Sequence, residues 1–266
     1  MKGSMWSQPY LIDLTYAKNF ELVKASIRGK NRRILEVGCG TGFMSLELAR
    51  MGHNVTAIDR DKYLVNLAER TAGTDPYRKT RGDLTFEIAN FSTWPGRPGA
   101  YDVVFFSRVL HDMLRPEKVL SKAREQLKDF GRIVCLEYGY NLMNRRSATW
   151  LYQIRRILEV AGWTRLPHLS ERPPVGIDEI LRKNSERKQH INSFEEMRKP
   201  LERLFHEELL SWHPYYYWDI LADMQIPDKR EEKSFAMLLR SMEEFLIGSG
   251  QIQPALFRFV GVKTRR

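Results

Sequence analysis

Three groups of residues in this chain have types and spacing that could do chemistry. The first is the run Glu36-Val37-Gly38-Cys39-Gly40-Thr41-Gly42, in which three glycines alternate with short side chains. Glycine lets a ligand approach the main chain, and a glycine turn that opens a helix leaves backbone N–H groups at the helix start. Asp59 follows about twenty residues after the first glycine, a spacing that suits a carboxylate accepting hydrogen bonds from ribose hydroxyls. The second group is His111-Asp112, an imidazole that titrates near neutrality beside a carboxylate. The third is aromatic: Trp212, His213, Tyr215, Tyr216, Tyr217 and Trp218. Aromatic faces attract organic cations, so this group either cages a charged centre or packs as ordinary core.

The elements that must position these residues are legible from hydrophobic patterning. Ile34, Leu35 and Val37 read as a buried strand, and Leu46, Leu48 and Ala49 continue at helical spacing after the glycines. Asn54–Ile58 is a second strand that ends at Asp59 and Arg60, and Asp61–Thr71 is a helix. Leu84–Ala89 is a third strand leading into Asn90-Phe91. Tyr101–Phe106 is a fourth, leading into Ser107–Met113. Pro116–Leu127 reads as a helix and Arg132–Leu136 as a fifth strand. Glu137, Tyr138 and Tyr140 then lie at its carboxyl end, where open α/β sheets bind ligands. Trp6–Ile27 reads as one or two leading helices. Beyond Asn141 come a helix over Ser147–Ala161, a loop interrupted by Pro167, Pro173 and Pro174, and a charged helix over Ile177–Gln189. Ser193–Phe205 begins like a capped helix. The run Glu207–Trp218 has strand-like apolar content, but Pro214 makes it an edge strand or a turn. A helix over Lys229–Leu246 and a last strand over Ala255–Val262 close the chain.

ExGxGxG at Glu36–Gly42 resembles the first motif of the class I S-adenosylmethionine-dependent methyltransferases. The NAD fingerprint spaces its glycines as GxGxxG, and here no glycine stands at Phe43. The resemblance covers order and spacing over nearly the whole chain and is strongest from Ile34 to Leu136. It implies an α/β fold: a Rossmann-like seven-stranded methyltransferase sheet, mostly parallel with an antiparallel last strand, helices on both faces, and a helical cap. The implied organisation is an N-terminal helical lid at 1–33, a cofactor-binding core at 34–140, a cap insertion at 141–190 and the rest of the core sheet at 191–266.

The resemblance also implies site residues. Glu36, Gly38, Cys39, Gly40 and Gly42 would surround the methionine half of S-adenosyl-L-methionine, with Asp59 and Arg60 at its ribose. Asn90 and Phe91 would meet the adenine. Asn90 departs from the commoner aspartate, but an amide oxygen can still accept from an exocyclic amine. Ser107 falls where the family often carries a serine or asparagine. VLHD at Val109–Asp112 resembles the His-Asp of O-methyltransferases, which makes His111 either the base that takes a hydroxyl proton or a pocket-lining histidine. Glu137 would position a substrate amine or hydroxyl, or pair with a lid arginine. Tyr10 and Tyr16 would close over the cofactor or pack on the sheet. Tyr138, Tyr215, Tyr216 and Tyr217 are the remaining expected substrate contacts.

Composition bounds the function. A chain of 266 residues can bury one substantial core. No apolar run approaches the roughly 20 residues that span a bilayer, and Met1–Ser7 lacks a signal core, so a cytoplasmic protein without a membrane partner is expected. Two cysteines, Cys39 and Cys135, are too few for a metal site and read as free thiols in a reducing compartment. The net charge is +10, and residues 1–33 and 141–190 each carry +5 of it. These segments either attract an acidic substrate or are solvated helical faces. The Asn-Pro-Pro-Tyr-type tetrapeptide of nucleic-acid amino methyltransferases is absent, as is the cysteine pair of RNA cytosine-C5 enzymes. The expectation is therefore methyl transfer to O or N of a small, acidic or phenolic acceptor, with nucleic acid not favoured and oligomeric state open. The rivals are an RNA or protein methyltransferase, an enzyme that consumes the cofactor itself and releases methylthioadenosine, and a non-catalytic cofactor-binding module that binds tightly without turnover.

Overall fold

A computed structural model of the chain describes residues 9–164, 176–188 and 191–265. Trp6, the loop prolines Pro167, Pro173 and Pro174, and the end of the expected helix at Gln189 lie outside the described residues. The elements in chain order are α1 (Pro9–Ile12), a π-helical turn (Asp13–Ala17), α2 (Lys18–Ser26), β1 (Arg33–Val37), α3 (Phe43–Arg50), β2 (Asn54–Asp59) and α4 (Lys62–Gly73). Next come β3 (Leu84–Ile88), β4 (Tyr101–Ser107), α5 (Pro116–Gln126), β5 (Leu127–Tyr138), α6 (Arg145–Val160) and α7 (Ile177–Lys188). The last are α8 (Phe194–Leu204), β6 (His206–His213), α9 (Tyr216–Leu221), α10 (Lys229–Gly248) and β7 (Leu256–Val262).

The strands form a seven-stranded sheet in the order β3-β2-β1-β4-β5-β7-β6. β3, β2, β1, β4 and β5 pair in parallel. The last strands run antiparallel: Phe130 N donates to Lys263 O at 3.1 Å and Lys263 N donates to Gly131 O at 2.9 Å. Strands buried on both faces explain the near-continuous apolar runs of the sequence, as in Val103–Phe106, every residue of which is buried. The order reverses between β1 and β4, and in such sheets the crevice beyond the carboxyl ends of these strands is where ligands bind.

Side-chain caps set several helix starts. Asp61 accepts from Tyr63 N and Leu64 N, Asn144 from Ser147 N, and Asp228 from Arg230 N and Glu231 N. Two expectations need correcting. β5 begins at Leu127, five residues before the expected Arg132, because Leu127–Gly131 pair with neighbouring strands through a bulge at Tyr101/Val103. The run over Glu207–Trp218, expected to be an edge strand or a turn, divides at Pro214: β6 before it is an edge strand of the sheet, and the residues after it form the helix α9.

The chain forms two compact units. One comprises residues 1–18, 138–194 and 212–257; the other comprises 19–137, 195–211 and 258–266. These boundaries differ from the expected 1–33, 34–140, 141–190 and 191–266. The reason is burial: Tyr10, Leu11 and Leu14 share one core cluster with Leu151 and Leu158 of α6, Ile220 of α9 and Leu239 of α10. The second unit has its own cluster, with Ile34, Leu48, Val55, Phe105 and Val134 among its members. No helix among the described residues is long and apolar enough to cross a membrane.

Candidate active site

The glycine loop lies in the second unit, between β1 and α3, and each glycine has its own reason to be there. All three adopt left-handed backbone, with φ of 76° at Gly38, 53° at Gly40 and 74° at Gly42. A Cβ on Gly38 would stand 2.4 Å from Val109 Cγ2, and one on Gly42 would stand 2.8 Å from Ala68 Cβ and the Phe86 ring. A Cβ on Gly40 would meet nothing within 4 Å. Packing thus requires Gly38 and Gly42, while Gly40 opens onto free space. The loop is tied to the end of β2: Gly38 N and Cys39 N donate to Ile58 O, and Gly40 N donates to Asp59 Oδ2 at 2.8 Å. Asp59 Oδ1 accepts from Asp61 N at 2.9 Å, so the carboxylate is aimed before any ligand arrives.

Glu36 and Cys39 are interior groups. Glu36 is 2% exposed and accepts from Ser45 Oγ of α3. Burial pushes its carboxyl up to about 8 against the hydrogen bonding of Ser45, with the Asp59 charge adding to the rise. The Cys39 thiol is also pushed up, chiefly by burial and then by the charges of Glu36 and Asp59, so it stays protonated. Cys135 behaves alike in its buried strand position, and both thiols are free. Arg60 is exposed beside Asp59.

At the end of β3, Asn90 is exposed and its Oδ1 accepts from Ser92 N at 3.0 Å. The Phe91 ring is buried edge-on to Phe106 at 5.9 Å, beside Trp94 and under Lys122 Nζ. Ser107 ends β4, and its buried Oγ has no hydrogen-bond partner among the described residues. An orphaned hydroxyl in such a crevice is a place for a ligand polar group.

The most organised chemistry is at His111, in a 3-10 turn over Leu110–Asp112 whose neighbour Val109 packs on Gly38. Glu137, at the carboxyl end of β5, is fully buried. It accepts from Val109 N and Leu110 N at 2.8 Å each through Oε1, and its Oε2 lies 2.8 Å from His111 Nδ1. The oxygens of Glu137 are thus engaged neither by a lid arginine nor by a group left for a substrate amine or hydroxyl, the two expected roles: they hold the turn and the imidazole together. Sequence reading paired His111 with Asp112. Asp112 Oδ2 does lie 3.4 Å from Nε2, but its side chain is 58% exposed. Burial alone would lower the His111 pKa. The hydrogen bond and charge of Glu137, helped by Asp112, outweigh it and hold the imidazole above its ordinary value. The sequence signal for this pairing was only that Glu137 ends a strand adjacent to β4.

The remaining expected residues belong to the first unit. Tyr10 is buried, and its OH donates to Glu232 Oε1 at 2.6 Å. Tyr16 lies within the π-helical turn. Tyr216 and Tyr217 are core residues, 1% and 5% exposed, and Tyr217 OH donates to Leu14 O. This corrects the cage reading for the run: Glu243, itself buried, accepts from Tyr215 N, Tyr216 N and Tyr217 N and sets the start of α9. Tyr138, Tyr140 and Tyr215 form a separate ring cluster, with centroids 4.6, 4.6 and 5.8 Å apart. Trp212 instead packs on Phe194 and Phe257. Among the described residues, no group of three or more His, Cys, Asp or Glu is placed to hold a metal ion.

Comparison with known proteins adds a family match, two curated relatives and a structural neighbour. A family model described as a methyltransferase domain matches residues 28–197. The chain is similar to the mitochondrial ubiquinone biosynthesis O-methyltransferase of Schizosaccharomyces pombe, at 28% identity over 159 residues, covering 58% of this chain and 57% of that protein. It is likewise similar to the ubiquinone biosynthesis O-methyltransferase of Nitrosococcus oceani, at 28% identity over 141 residues and 53% of each chain. The chain thus spans little more than half the length of these curated relatives. Its fold resembles that of an S-adenosylmethionine-dependent methyltransferase from Methanosarcina mazei, with a TM-score of 0.56, 18% identity, and coverage of 92% of this chain and 98% of that one.

Proposed function

The chain belongs to the methyltransferase-domain family, and on that premise we propose that it transfers a methyl group to a hydroxyl oxygen of a small acidic or phenolic molecule. S-adenosylmethionine is the cofactor, and it supplies an already electrophilic methyl carbon. The residues fit it. The space above Gly40 admits a ligand to the main chain, Asp59 presents an aimed carboxylate, and Ser107 Oγ lacks a partner. In this reading Gly38, Cys39, Gly40 and Gly42 hold the methionine half, Asp59 and Arg60 the ribose, and Asn90 and the Phe91 backbone the adenine. Glu36 supports the loop through Ser45.

The observation that carries the oxygen acceptor is the Glu137–His111 pair. Methyl transfer from a sulfonium needs mainly alignment, with the nucleophile roughly 3 Å from the methyl carbon. A base matters only where the nucleophile must lose a proton, as a hydroxyl must. Glu137 holds the His111 proton on Nδ1 and leaves Nε2 as the accepting nitrogen. As Nε2 takes the hydroxyl proton, the buried carboxylate stabilises the imidazolium that forms. Asp112, exposed near Nε2, gives way to the incoming hydroxyl. A cytoplasmic site of action is part of the same proposal, tested by cell fractionation.

The test is incubation with S-adenosylmethionine and a panel of phenolic and acidic small molecules, followed by mass spectrometry of every product. The expected result is S-adenosylhomocysteine together with an O-methylated product, and an intact cofactor when acceptor is left out. Enzyme-dependent methylthioadenosine without acceptor would replace this reading with one in which the cofactor is the substrate.

A further inference from the structure

The second unit carries a cavity at the opposite end of its strands from the glycine loop. Its volume is about 200 Å³, and Arg28, Arg32, Asp102, Lys128, Phe130 and Arg132 are among its lining residues. Asp102 stands at the start of β4 and Ser107 at its end, five strand steps or roughly 17 Å away. Nothing in the methyl-transfer reading uses this place.

Its charges do not balance locally. Two carboxylates line it, Asp102 and Asp129, and a third, Glu208, pairs with its lining arginines; each is hydrogen-bonded to a cation. Asp102 accepts from Lys128 Nζ at 2.9 Å and from Arg33 N at 2.8 Å. Glu208 accepts from Arg132 through both guanidinium arms, at 2.9 and 3.0 Å. Asp129 pairs with Arg265 at 3.2 Å. Arg28 and Arg32 share these same carboxylates more loosely: Arg28 is 3.6 Å from Glu208 and Arg32 is 3.7 Å from Asp102, ion pairs without a hydrogen bond.

Arg32 is nonetheless held in place. Its Nε donates to Arg28 O at 2.6 Å, and its guanidinium folds over Gly29, where a Cβ would stand 2.5 Å from Nη2. Gly29, at φ 85°, supplies the turn that permits this. The backbone across the cavity is also unusual, since Phe130 adopts φ 61° at the start of the paired β5–β7 segment. A bulky residue in left-handed backbone is an outlier of the kind that gathers at ligand sites.

We propose that this cavity binds a phosphate monoester group, with Arg28 and Arg32 as its principal donors and Lys128 at its edge. Two guanidiniums present several N–H donors to the oxygens of a tetrahedral dianion, the pairing for which arginine forks are suited. The cavity is smaller than the pockets of about 300 Å³ or more that enclose a whole drug-sized ligand. It accommodates the phosphate and leaves its carrier outside.

The experiment titrates inorganic phosphate into the full chain by calorimetry and thermal shift, in chloride buffer at constant ionic strength so that general screening is held fixed. Saturable binding is expected, weakened by about tenfold or more in Arg32→Gln and Arg28→Gln. Both arginines are at least 41% exposed, and unchanged S-adenosylmethionine affinity in the variants shows that they are folded. Glycerol 3-phosphate and vesicles containing phosphatidate then distinguish a soluble carrier from a lipid headgroup, and binding of either supports the site. A phosphate response that does not saturate, or that both variants retain in full, overturns it.

Discussion

Replacing Glu137 with glutamine tests the centre of the proposed chemistry without needing the acceptor. The amide keeps one oxygen for Val109 N and Leu110 N, so the turn retains its partners. Facing His111 Nδ1, however, an N–H replaces a carboxylate oxygen. The imidazole must then accept at Nδ1, and its proton moves to Nε2, the nitrogen that should receive the substrate proton. Removing the charge also removes what held the imidazole above its ordinary pKa, so burial prevails and the pKa falls. Two backbone hydrogen bonds that change from a charged to a neutral acceptor cost about 2 kcal/mol together. The sign of the pH dependence is fixed. Because the folded-state pKa of His111 is raised, its pairing contributes full stability below the unfolded value of about 6.5 and loses that contribution as pH climbs through the folded value. The gap in Tm between wild type and variant should thus be widest near pH 6 or below, on the order of the imidazole titration, and should narrow in alkali. Long-range proton–nitrogen spectra of labelled imidazoles, assigned among the six histidines with His111→Ala, read tautomer and titration directly. Wild type should show the Nδ1–H form with a raised pKa, and the variant the Nε2–H form with a lowered one. With an acceptor in hand, kcat should fall roughly 10²- to 10⁴-fold while cofactor affinity holds. A wild-type His111 that titrates at its ordinary value and does not move in the variant would refute the reasoning.

Other outcomes follow from the same structure. Gly40→Arg should abolish S-adenosylmethionine binding in calorimetry while the chain stays folded, since its side chain enters open space at a strain cost of about 1 kcal/mol. Gly42→Ala should instead lower Tm, because its methyl overlaps Ala68 and Phe86, an overpacking cost of about 1–3 kcal/mol. Glu36, held up to about 8, binds its proton more tightly folded than unfolded, so it lowers stability as pH rises from about 4.5 to about 8. Glu36→Gln should flatten that part of the Tm–pH curve. Tyr10→Phe removes the hydroxyl that donates to buried Glu232 and should cost about 1.5–3 kcal/mol in denaturant unfolding.

The sequence by itself determined the sheet, the glycine loop and the family. Consecutive β-branched and aromatic runs leave few alternatives to buried parallel strands, and glycines at alternate positions leave few alternatives to a left-handed loop. Even so, patterning could not say why each glycine is there: Gly38 and Gly42 are required by Val109, Ala68 and Phe86, which come from other elements. Nor could it find the partner of His111. Asp112 is adjacent in sequence, but Glu137 is brought to Nδ1 only because β4 and β5 are neighbours in the sheet, 26 residues apart along the chain. The tyrosine run shows the same limit. Its composition suited a cation cage as well as a core, and only the buried carboxylate of Glu243, which gathers three successive N–H groups, turns Tyr216 and Tyr217 inward. Local propensity and periodicity are properties of neighbours along the chain. Which side chain accepts a given proton is decided by neighbours in space, and a buried charge goes wherever the fold leaves donors unpaired.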